Sequence, residues 1–435
     1  MDAAVVITRG VQSLPASCTS YGANFAGFVC FLTVSLILRD FRDLSQTTVV
    51  LASLSAIAVP LMVIEMVRRR AFTRESARES ARESSGLDFG AMPAVDWARV
   101  SVKLFGFYMT FAVIAAVYWL LPEYHGDFYL PFWQLLEVAL PVVLLAAIPY
   151  FIFIDRYMTE PRDGYWHGGM AMLGRGKVTD GKILKQYALG WLVKAFFIPL
   201  MYVMYMRSYQ YFLDVDFVEV VSSTKTLYNF FYEFSYLVDL LFACIGYVLT
   251  VRLLDTHIRS TEPTVKGWLV ALMCYEPAWT LIYGTYLTYD NDGFAWGRWL
   301  ESYPVFYALW AGTILVFLAI YAASTMTFGL RFSNLTHRGI LTNGPYRFCK
   351  HPAYVSKNIS WWLIAVPFIA EGTALEAVRD CVLLLGVNCI YYLRARTEER
   401  HLSWDPVYQQ YALAMNERSI LRGVAAWLPF LRYRA

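Results

Sequence analysis

Long apolar segments separated by short polar connections recur along most of the chain. A helix that crosses the hydrocarbon core of a bilayer needs about 20 mainly apolar residues, because each residue rises about 1.5 Å. The pattern predicts an all-α fold, a polytopic transmembrane helical bundle of about ten spans whose last two spans form a hairpin. The ten segments are residues 22–38, 47–67, 103–121, 132–154, 186–206, 226–251, 267–287, 304–323, 353–370 and 376–393.

The composition agrees with a membrane protein and excludes an ordinary soluble core. Of the 435 residues, 58% are hydrophobic and 16% are charged, whereas soluble domains are about 45–50% apolar and about 25% charged. The seven cysteines form no CxxC pair and no Cys/His ligand spacing, so we expect neither a disulfide framework nor a zinc site. The N-terminal region lacks the pattern of a cleavable signal peptide, and we expect the first apolar segment to be retained.

The distribution of Lys and Arg among the loops predicts an orientation. The loops after the second, fourth, sixth and eighth segments are basic, whereas residues 122–131 contain no Lys or Arg and 288–303 contain only Arg298. Basic loops stay in the cytoplasm, and an even number of spans returns the chain to its starting side. We therefore predict that both termini and the loops 68–102 and 155–185 are cytoplasmic. A bacterial inner membrane is the expected location, and the endoplasmic reticulum is the alternative.

Two loop segments have distinctive sequences but weak functional signals. Residues Arg74–Ser84 repeat an Arg-Glu-Ser-Ala unit, which is typical of a solvated helix or a disordered linker. The segment Asp155–Lys185 is rich in glycine, but its glycines do not follow the GxGxxG order that cradles phosphate after a strand. We therefore reject a dinucleotide-binding fold and predict an irregular cytoplasmic lid or interfacial segment there.

The first candidate site motif precedes the ninth apolar segment. Pro352 stands at the expected first position of the helix, where its missing N–H is tolerated. His351 therefore flanks a helix N-terminus, whose free N–H groups favour an anionic group of a ligand. Tyr354 follows His351 by three residues and shares its face of the helix.

The second candidate motif follows the tenth apolar segment. Arg394 and Glu398 are four residues apart and share one helical face if the helix continues beyond the membrane. The short turn Glu371–Ala374 connects the last two segments, so both polar motifs emerge at the same end of a hairpin. Their convergence predicts one site. The second motif also has a purely structural explanation, because Glu398 and Glu399 could form surface ion pairs.

These motifs resemble those of the isoprenylcysteine carboxyl methyltransferases, the phospholipid methyltransferases and related bacterial membrane enzymes. The resemblance covers roughly the last 130 residues. Lys350 stands where the family usually has arginine, and Ser356 stands where glycine is common. The matching residues are Gly344-Pro345-Tyr346, Lys350-His351-Pro352-Ala353-Tyr354, Arg394 with Glu398 and Glu399, and Tyr408 with Tyr411.

The resemblance implies a catalytic C-terminal hairpin that binds S-adenosylmethionine at its cytoplasmic mouth, without a metal. It implies catalytic roles for Arg394 and Glu398. The cofactor-binding residues would be Gly344, Pro345, Tyr346, Lys350, His351, Tyr354, Glu398 and Glu399. Tyr408 and Tyr411 have an equally good explanation as aromatic residues of a membrane interface.

The acceptor is expected to be a lipid-like or prenylated amphiphile that enters from the bilayer, and no nucleic acid is expected. Residues 301–435 would form the methyltransferase-like core, and residues 1–300 a bundle of unknown role that contributes to acceptor binding. Charged residues inside apolar spans are costly and usually face a partner or a wet cavity. Lys194, Asp239 and Glu276 are such residues. Lys194 is a candidate for holding an acidic head group, and a structural pair with Asp239 or Glu276 is the alternative.

Two other functions remain open at this stage. The membrane sterol reductases have a related His-x-x-Tyr hairpin and use NADPH, although the chain reads Arg396-Thr-Glu-Glu-Arg400 where their pattern has Arg-Asp-Glu. A transporter or scaffold would explain the large N-terminal bundle but leave the paired motifs unexplained. The nucleophile is also open, because a carboxylate needs no base, whereas an amine needs one with a suitable pKa.

Overall fold

The computed structural model describes residues 13–41, 43–71, 85–90, 93–290, 295–369 and 371–434. The repeat Arg74–Ser84 therefore lies outside the described residues. The described helices are α1 (Tyr21–Leu38), α2 (Gln46–Ala71), α3 (Trp97–Leu120), α4 (Leu130–Tyr157), α5 (Gly164–Met172), α6 (Gly181–Asp214), α7 (Phe217–Val220), α8 (Thr224–Val248), α9 (Val265–Leu272), α10 (Ala278–Tyr286), α11 (Trp296–Trp299), α12 (Pro304–Phe328), α13 (Pro352–Ala365), α14 (Ala374–Leu402), α15 (Pro406–Arg418) and α16 (Arg422–Trp427). Two short strands, β1 (Ser260–Thr261) and β2 (Thr336–His337), pair antiparallel.

The fold is an all-α polytopic helical bundle, as the hydrophobic pattern predicted. Within the described residues, seven helices are long and apolar enough to cross a membrane. The chain is therefore an integral membrane protein. The seven candidate spans are Tyr21–Leu38, Gln46–Arg68, Trp97–Leu120, Asp127–Tyr157, Gly181–Asp214, Thr224–Val248 and Pro304–Arg331.

Three of the ten expected segments are not among these seven candidate spans. Residues 267–287 contain two short helices, α9 and α10, and Pro277 directly precedes the second. The segment 353–370 contains α13, which has 14 residues and is shorter than a spanning helix needs to be. The segment 376–393 lies within α14, whose first turns carry Glu376, Arg379 and Asp380. The predicted orientation assumed an even count, and it stays a prediction.

Helices α6 and α8 form the centre of the bundle and pack against each other. In their most apolar windows 56% and 61% of the residues are buried, compared with 11% in the fourth span. Two buried tyrosines of α6 show how polar atoms are accommodated there. Tyr205 bonds to Ser53 and Tyr209 to Ser35, each at 3.1 Å. Such internal bonds are required because a hydrocarbon environment offers no hydrogen-bonding partner.

A buried network of charges joins α3, α4 and the turn before α5. The ammonium of Lys103 is completely buried, 2.8 Å from Asp155 and 3.4 Å from Asp163. Arg99 reaches Asp155 at 2.6 Å. Each of these charges has an opposite charge within contact distance, which compensates for the loss of hydration.

The composition of the glycine-rich segment Asp155–Lys185 predicted an irregular lid or interfacial segment. The segment instead contains a regular helix, α5, which packs on α3. Its glycines allow the two backbones to approach closely. A Cβ atom on Gly169 would lie 2.2 Å from the carbonyl oxygen of Val102, and one on Gly106 would lie 2.7 Å from that of Tyr165. The glycines of this contact therefore serve helix packing.

The segment between α12 and α13 is fixed by a buried arginine. Arg338 donates hydrogen bonds to the carbonyl oxygens of Gly246, Thr256, Leu330 and Phe332 at 2.7–2.9 Å. These bonds tie the segment to the C-terminal end of α8, whose last carbonyl groups have no partner within the helix. The approach to the His-Pro motif is thereby held against the core of the bundle.

Candidate functional site

A large cavity of about 1530 Å³ opens between the C-terminal hairpin and the central helices. Its walls come from α6, α8, α12, α13, α14 and the segment between α12 and α13. A cavity of this size exceeds the usual range of about 300–1,000 Å³ for small-molecule sites. It has room for more than one ligand.

Glu399 is buried at the base of the hairpin and is surrounded by cations. Nε2 of His351 donates a hydrogen bond to it at 3.2 Å, Lys350 lies 2.6 Å away and Arg396 lies 2.5 Å away. Burial alone would raise the pKa of the Glu399 carboxyl, but the hydrogen bond from His351 and the charges of His351 and Lys350 outweigh burial and lower it to about 2. Glu399 is therefore ionised and joins the start of α13 to the end of α14.

Glu398 points into the cavity instead. Its side chain is 32% exposed and lines the cavity wall. It accepts a hydrogen bond from the hydroxyl of Tyr354 and lies 3.4 Å from Nε of Arg394. Adjacent helical residues point about 100° apart, which separates the directions of Glu398 and Glu399. Glu398 has capacity to accept further hydrogen bonds from a ligand.

Arg394 lies on the same wall, one turn before Glu398. Its guanidinium donates to the side-chain oxygen of Asn334 at 2.5 Å and to the hydroxyl of Tyr275 at 3.2 Å. It also lies 5.1 Å from the ring centre of Tyr354. These contacts hold the guanidinium rigidly at the cavity wall.

The turn Gly344–Arg347 contributes Tyr346 to the cavity. Gly344 has φ +52°, and a Cβ atom there would lie 2.5 Å from Oγ1 of Thr327, so the turn requires glycine. The hydroxyl of Tyr411 donates to the carbonyl of Tyr346 at 2.7 Å. Gly344 and Pro345 shape the turn, and neither of them lines the cavity.

The C-terminal tyrosines are buried, in contrast to the interfacial alternative. Tyr408 and Tyr411 both line the cavity and are 4% and 2% exposed. The hydroxyl of Tyr408 has no hydrogen-bond partner among the described residues. Such an unsatisfied buried group calls for an explanation, and a ligand in the cavity would provide one.

Lys194 does not line this cavity. Its ammonium lies 4.6 Å from the ring centre of Trp191, and it forms no ion pair with Asp239 or Glu276 within the described part of the chain. Asp239 accepts hydrogen bonds from Tyr321 and Thr325, both at 2.6 Å. The structural pairing that the sequence left open is therefore absent.

Sequence reasoning missed Lys357, which lines the cavity one turn beyond Tyr354. A signal was present, because Lys357 is the only charged residue in the apolar segment 353–370, and charged residues in such segments commonly face a cavity. Trp361 also lines the cavity, whereas Trp362 donates to Asn388 at 2.7 Å.

Residues 305–404 match the family model described as the isoprenylcysteine carboxyl methyltransferase (ICMT) family. The matched region contains α13 and α14 in full, and with them the His-Pro motif and the Arg394–Glu399 motif. This part of the chain is therefore similar to the ICMT family. The match confirms the resemblance inferred from the motifs and identifies the cavity-forming hairpin as methyltransferase-like.

The other two comparisons give a weak similarity to one curated protein and no match to a solved structure. The chain is 29% identical over 128 residues to the cobalt-zinc-cadmium resistance protein CzcN of Cupriavidus metallidurans, covering 27% of this chain and 56% of the relative. The chain thus spans about half the length of the curated relative it matches. No solved structure matches the chain. Within the described residues, no group of three or more His, Cys, Asp and Glu side chains could hold a metal ion.

Proposed function

We propose that the protein is an integral-membrane methyltransferase that uses S-adenosylmethionine to methylate a lipid-like or prenylated amphiphilic acceptor. The observation that carries this proposal is the shared cavity. Tyr346, His351, Tyr354, Arg394 and Glu398 all line it, and all belong to the family motifs. Residues far apart in the sequence thus line one cavity, which supports a shared cofactor pocket.

The residues at this wall fit the chemical groups of the cofactor. The partly exposed carboxylate of Glu398 can accept hydrogen bonds from an amino or hydroxyl group. The N-terminus of α13 and the cation Lys350 favour a carboxylate. The rings of Tyr346 and Tyr408 offer aromatic faces to an adenine. When bound, the cofactor would supply an electrophilic methyl group on its sulfonium sulfur.

The contribution of the protein to methyl transfer is alignment and exclusion of water. Proximity and orientation can lower a reaction barrier by about 7–11 kcal/mol when the reacting atoms are held in line. Arg394 is fixed by Asn334 and Tyr275 and adds a positive charge to the wall that an anionic nucleophile would approach. A carboxylate acceptor would need no general base, whereas an amine would need one, and both carboxyl O-methylation and amine N-methylation fit the proposal.

Two entrances follow from the different solubility of the two substrates. The cofactor is water-soluble and would enter at the cytoplasmic mouth of the hairpin, whereas an amphiphile would enter between helices. The apolar residues Phe196, Leu200, Met201 and Met204 of α6 line the cavity and support an acceptor channel along this helix. Lys194 would have to change position to hold the acidic head group of an acceptor, because it does not line the cavity.

Calorimetric titration of the purified protein with S-adenosylhomocysteine and, separately, with NADPH tests the proposed cofactor. We expect binding of S-adenosylhomocysteine and none of NADPH. Binding of NADPH alone would favour the sterol reductase type, and binding of neither would contradict an enzyme with this cofactor. Mass spectrometry of lipid extracts from cells with and without the gene would then identify the methylated acceptor.

A further inference from the structure

Lys357 lies in a box of four aromatic rings inside the cavity. Lys357 and Tyr354 are three residues apart on α13, so they share one face of the helix. The ammonium of Lys357 lies within 6 Å of four ring centres, the distance at which a cation is attracted to an aromatic face. The distances are 5.9 Å to Tyr236, 5.1 Å to Tyr321, 5.4 Å to Trp361 and 5.9 Å to Tyr391.

The ammonium has three N–H donors but no hydrogen bond or ion pair among the described residues. Its neighbours on the same helix are satisfied, since Asn358 donates to the carbonyl of Tyr354 and Ser360 donates to that of Lys357. The carboxylate of Asp239 is close enough to act on Lys357, but its two oxygens are already bonded to Tyr321 and Thr325. Asp239 therefore attracts Lys357 without accepting its hydrogen bonds.

Aromatic rings compensate an ammonium only partly. A cation–π contact is worth about 0.5–2 kcal/mol, and a ring gives no strong acceptor for the N–H groups. A purely structural lysine would be expected to find a carboxylate or carbonyl, as Lys103 does with Asp155. The unmet donors of Lys357 face a cavity, and this arrangement suits an anionic ligand.

A second cation lies nearby on the same wall. Arg394 is close enough to repel Lys357, and Tyr354 contacts both the Arg394 guanidinium and the ring of Tyr391. Arg394, however, is already held by Glu398, Asn334 and Tyr275. Among the described residues, Lys357 is a cation of this wall whose donors remain available.

We propose that Lys357 binds the anionic group of the acceptor, a carboxylate or a phosphate, and so selects acidic amphiphiles. This inference rests on the proposed function and narrows its acceptor class. The four aromatic rings make the surroundings of the ion pair less polar than water, which strengthens the attraction between ammonium and anion. Because Lys357 lies one turn from Tyr354, a bound head group would lie next to the proposed cofactor pocket.

The test measures ligand binding, so it does not depend on turnover. Purified protein in detergent is titrated with four probes: hexadecanoate, hexadecyl phosphate, methyl hexadecanoate and hexadecanol. We expect the two anions to bind at least about tenfold more tightly than the neutral probes, as a charge-assisted hydrogen bond allows. Inorganic phosphate and acetate, added as competitors, distinguish recognition of the head group alone from recognition of the whole amphiphile.

Variants then assign the preference to one residue. Lys357→Met should remove the preference for anions, Lys357→Arg should retain most of it, and Lys185→Met, which changes an exposed lysine of α6, should leave it unchanged. If Lys357→Met keeps the preference, or if the wild-type protein shows none, the inference is wrong. If Lys357→Met fails to fold, Lys357→Gln is the substitute variant, and it should lose the preference for anions in the same way.

A separate titration with S-adenosylhomocysteine distinguishes the two proposals. An anion preference that depends on Lys357, in a protein that does not bind S-adenosylhomocysteine, would support the anion site and reject the methyltransferase function. Normal cofactor binding without any anion preference would support the function and reject the role of Lys357.

Discussion

The α3–α4–α5 region and the C-terminal hairpin both keep charged side chains away from bulk water, but the first contains an ion pair that is completely enclosed. Lys103 and Asp155 have fully buried side chains and contact each other directly. In the hairpin, Glu398 is 32% exposed and Lys357 has no acceptor among the described residues, and both line the cavity. A closed network of this kind holds helices together, whereas charges with unused hydrogen-bonding capacity at a cavity wall are suited to a ligand.

The largest effect is expected in the closed network. Lys103→Met would leave the carboxylate of Asp155 buried with one partner fewer, which typically costs about 3–5 kcal/mol. Thermal unfolding should show a marked loss of stability, whereas Lys177→Met, at an exposed lysine, should show none. The fraction that remains folded should bind S-adenosylhomocysteine normally. A stable Lys103→Met protein would mean that the network is not structural.

In the open site, Glu398→Ala should weaken binding rather than folding. Loss of a hydrogen bond to a charged group costs about 1.5–3 kcal/mol, or roughly 10- to 150-fold in affinity for S-adenosylhomocysteine. Calorimetry gives the affinity, and Glu417→Ala, at a side chain 77% exposed, is the matched control. Normal affinity in folded Glu398→Ala would contradict the site assignment.

His351→Ala should combine both kinds of effect, because His351 lines the cavity and also donates to the buried Glu399. We expect weaker binding of S-adenosylhomocysteine by calorimetry together with a lower unfolding temperature. Loss of stability with unchanged affinity would restrict His351 to a structural role.

A smaller effect, confined to acid, is expected for Glu399. Its folded pKa is lowered to about 2 from the ordinary value of 4.5, so the folded protein binds fewer protons than the unfolded chain between these values. The stabilisation is fully present above about pH 4.5 and is lost as the pH falls towards 2. Unfolding temperatures measured across this range should fall for the wild-type protein and less steeply for Glu399→Gln. Parallel curves would show that the cations around Glu399 do not stabilise its charge.

The smallest effect is expected for Lys194→Met. In the described residues the Lys194 ammonium contacts the ring of Trp191 and has no ion pair, and a cation–π contact contributes only about 0.5–2 kcal/mol. We expect a change in stability of no more than about 1 kcal/mol and an unchanged affinity for S-adenosylhomocysteine. A raised Michaelis constant for the acceptor would instead show that Lys194 contributes to acceptor binding.

Local sequence signals were sufficient for the parts of the site that depend on one helix. The spacing of Arg394 and Glu398 placed them on one face, and Pro352 marked the start of α13, because both depend on the geometry of a single helix. The count of spans was less successful. Hydropathy measures composition and not continuity, so it could not show that residues 267–287 divide into two helices or that α13 is short.

The sequence by itself determined the membrane class, the all-α architecture and the resemblance of the C-terminal hairpin to the ICMT family, because these depend on composition, period and local motifs. Only the tertiary structure decided which of two adjacent glutamates is buried. Glu399 meets Lys350, His351 and Arg396, whereas Glu398 faces the cavity. The tertiary structure also decided that Lys357, and not Lys194, lines the cavity. The position of Lys357 depends on how α13 packs against α12, and no local pattern records such long-range contacts.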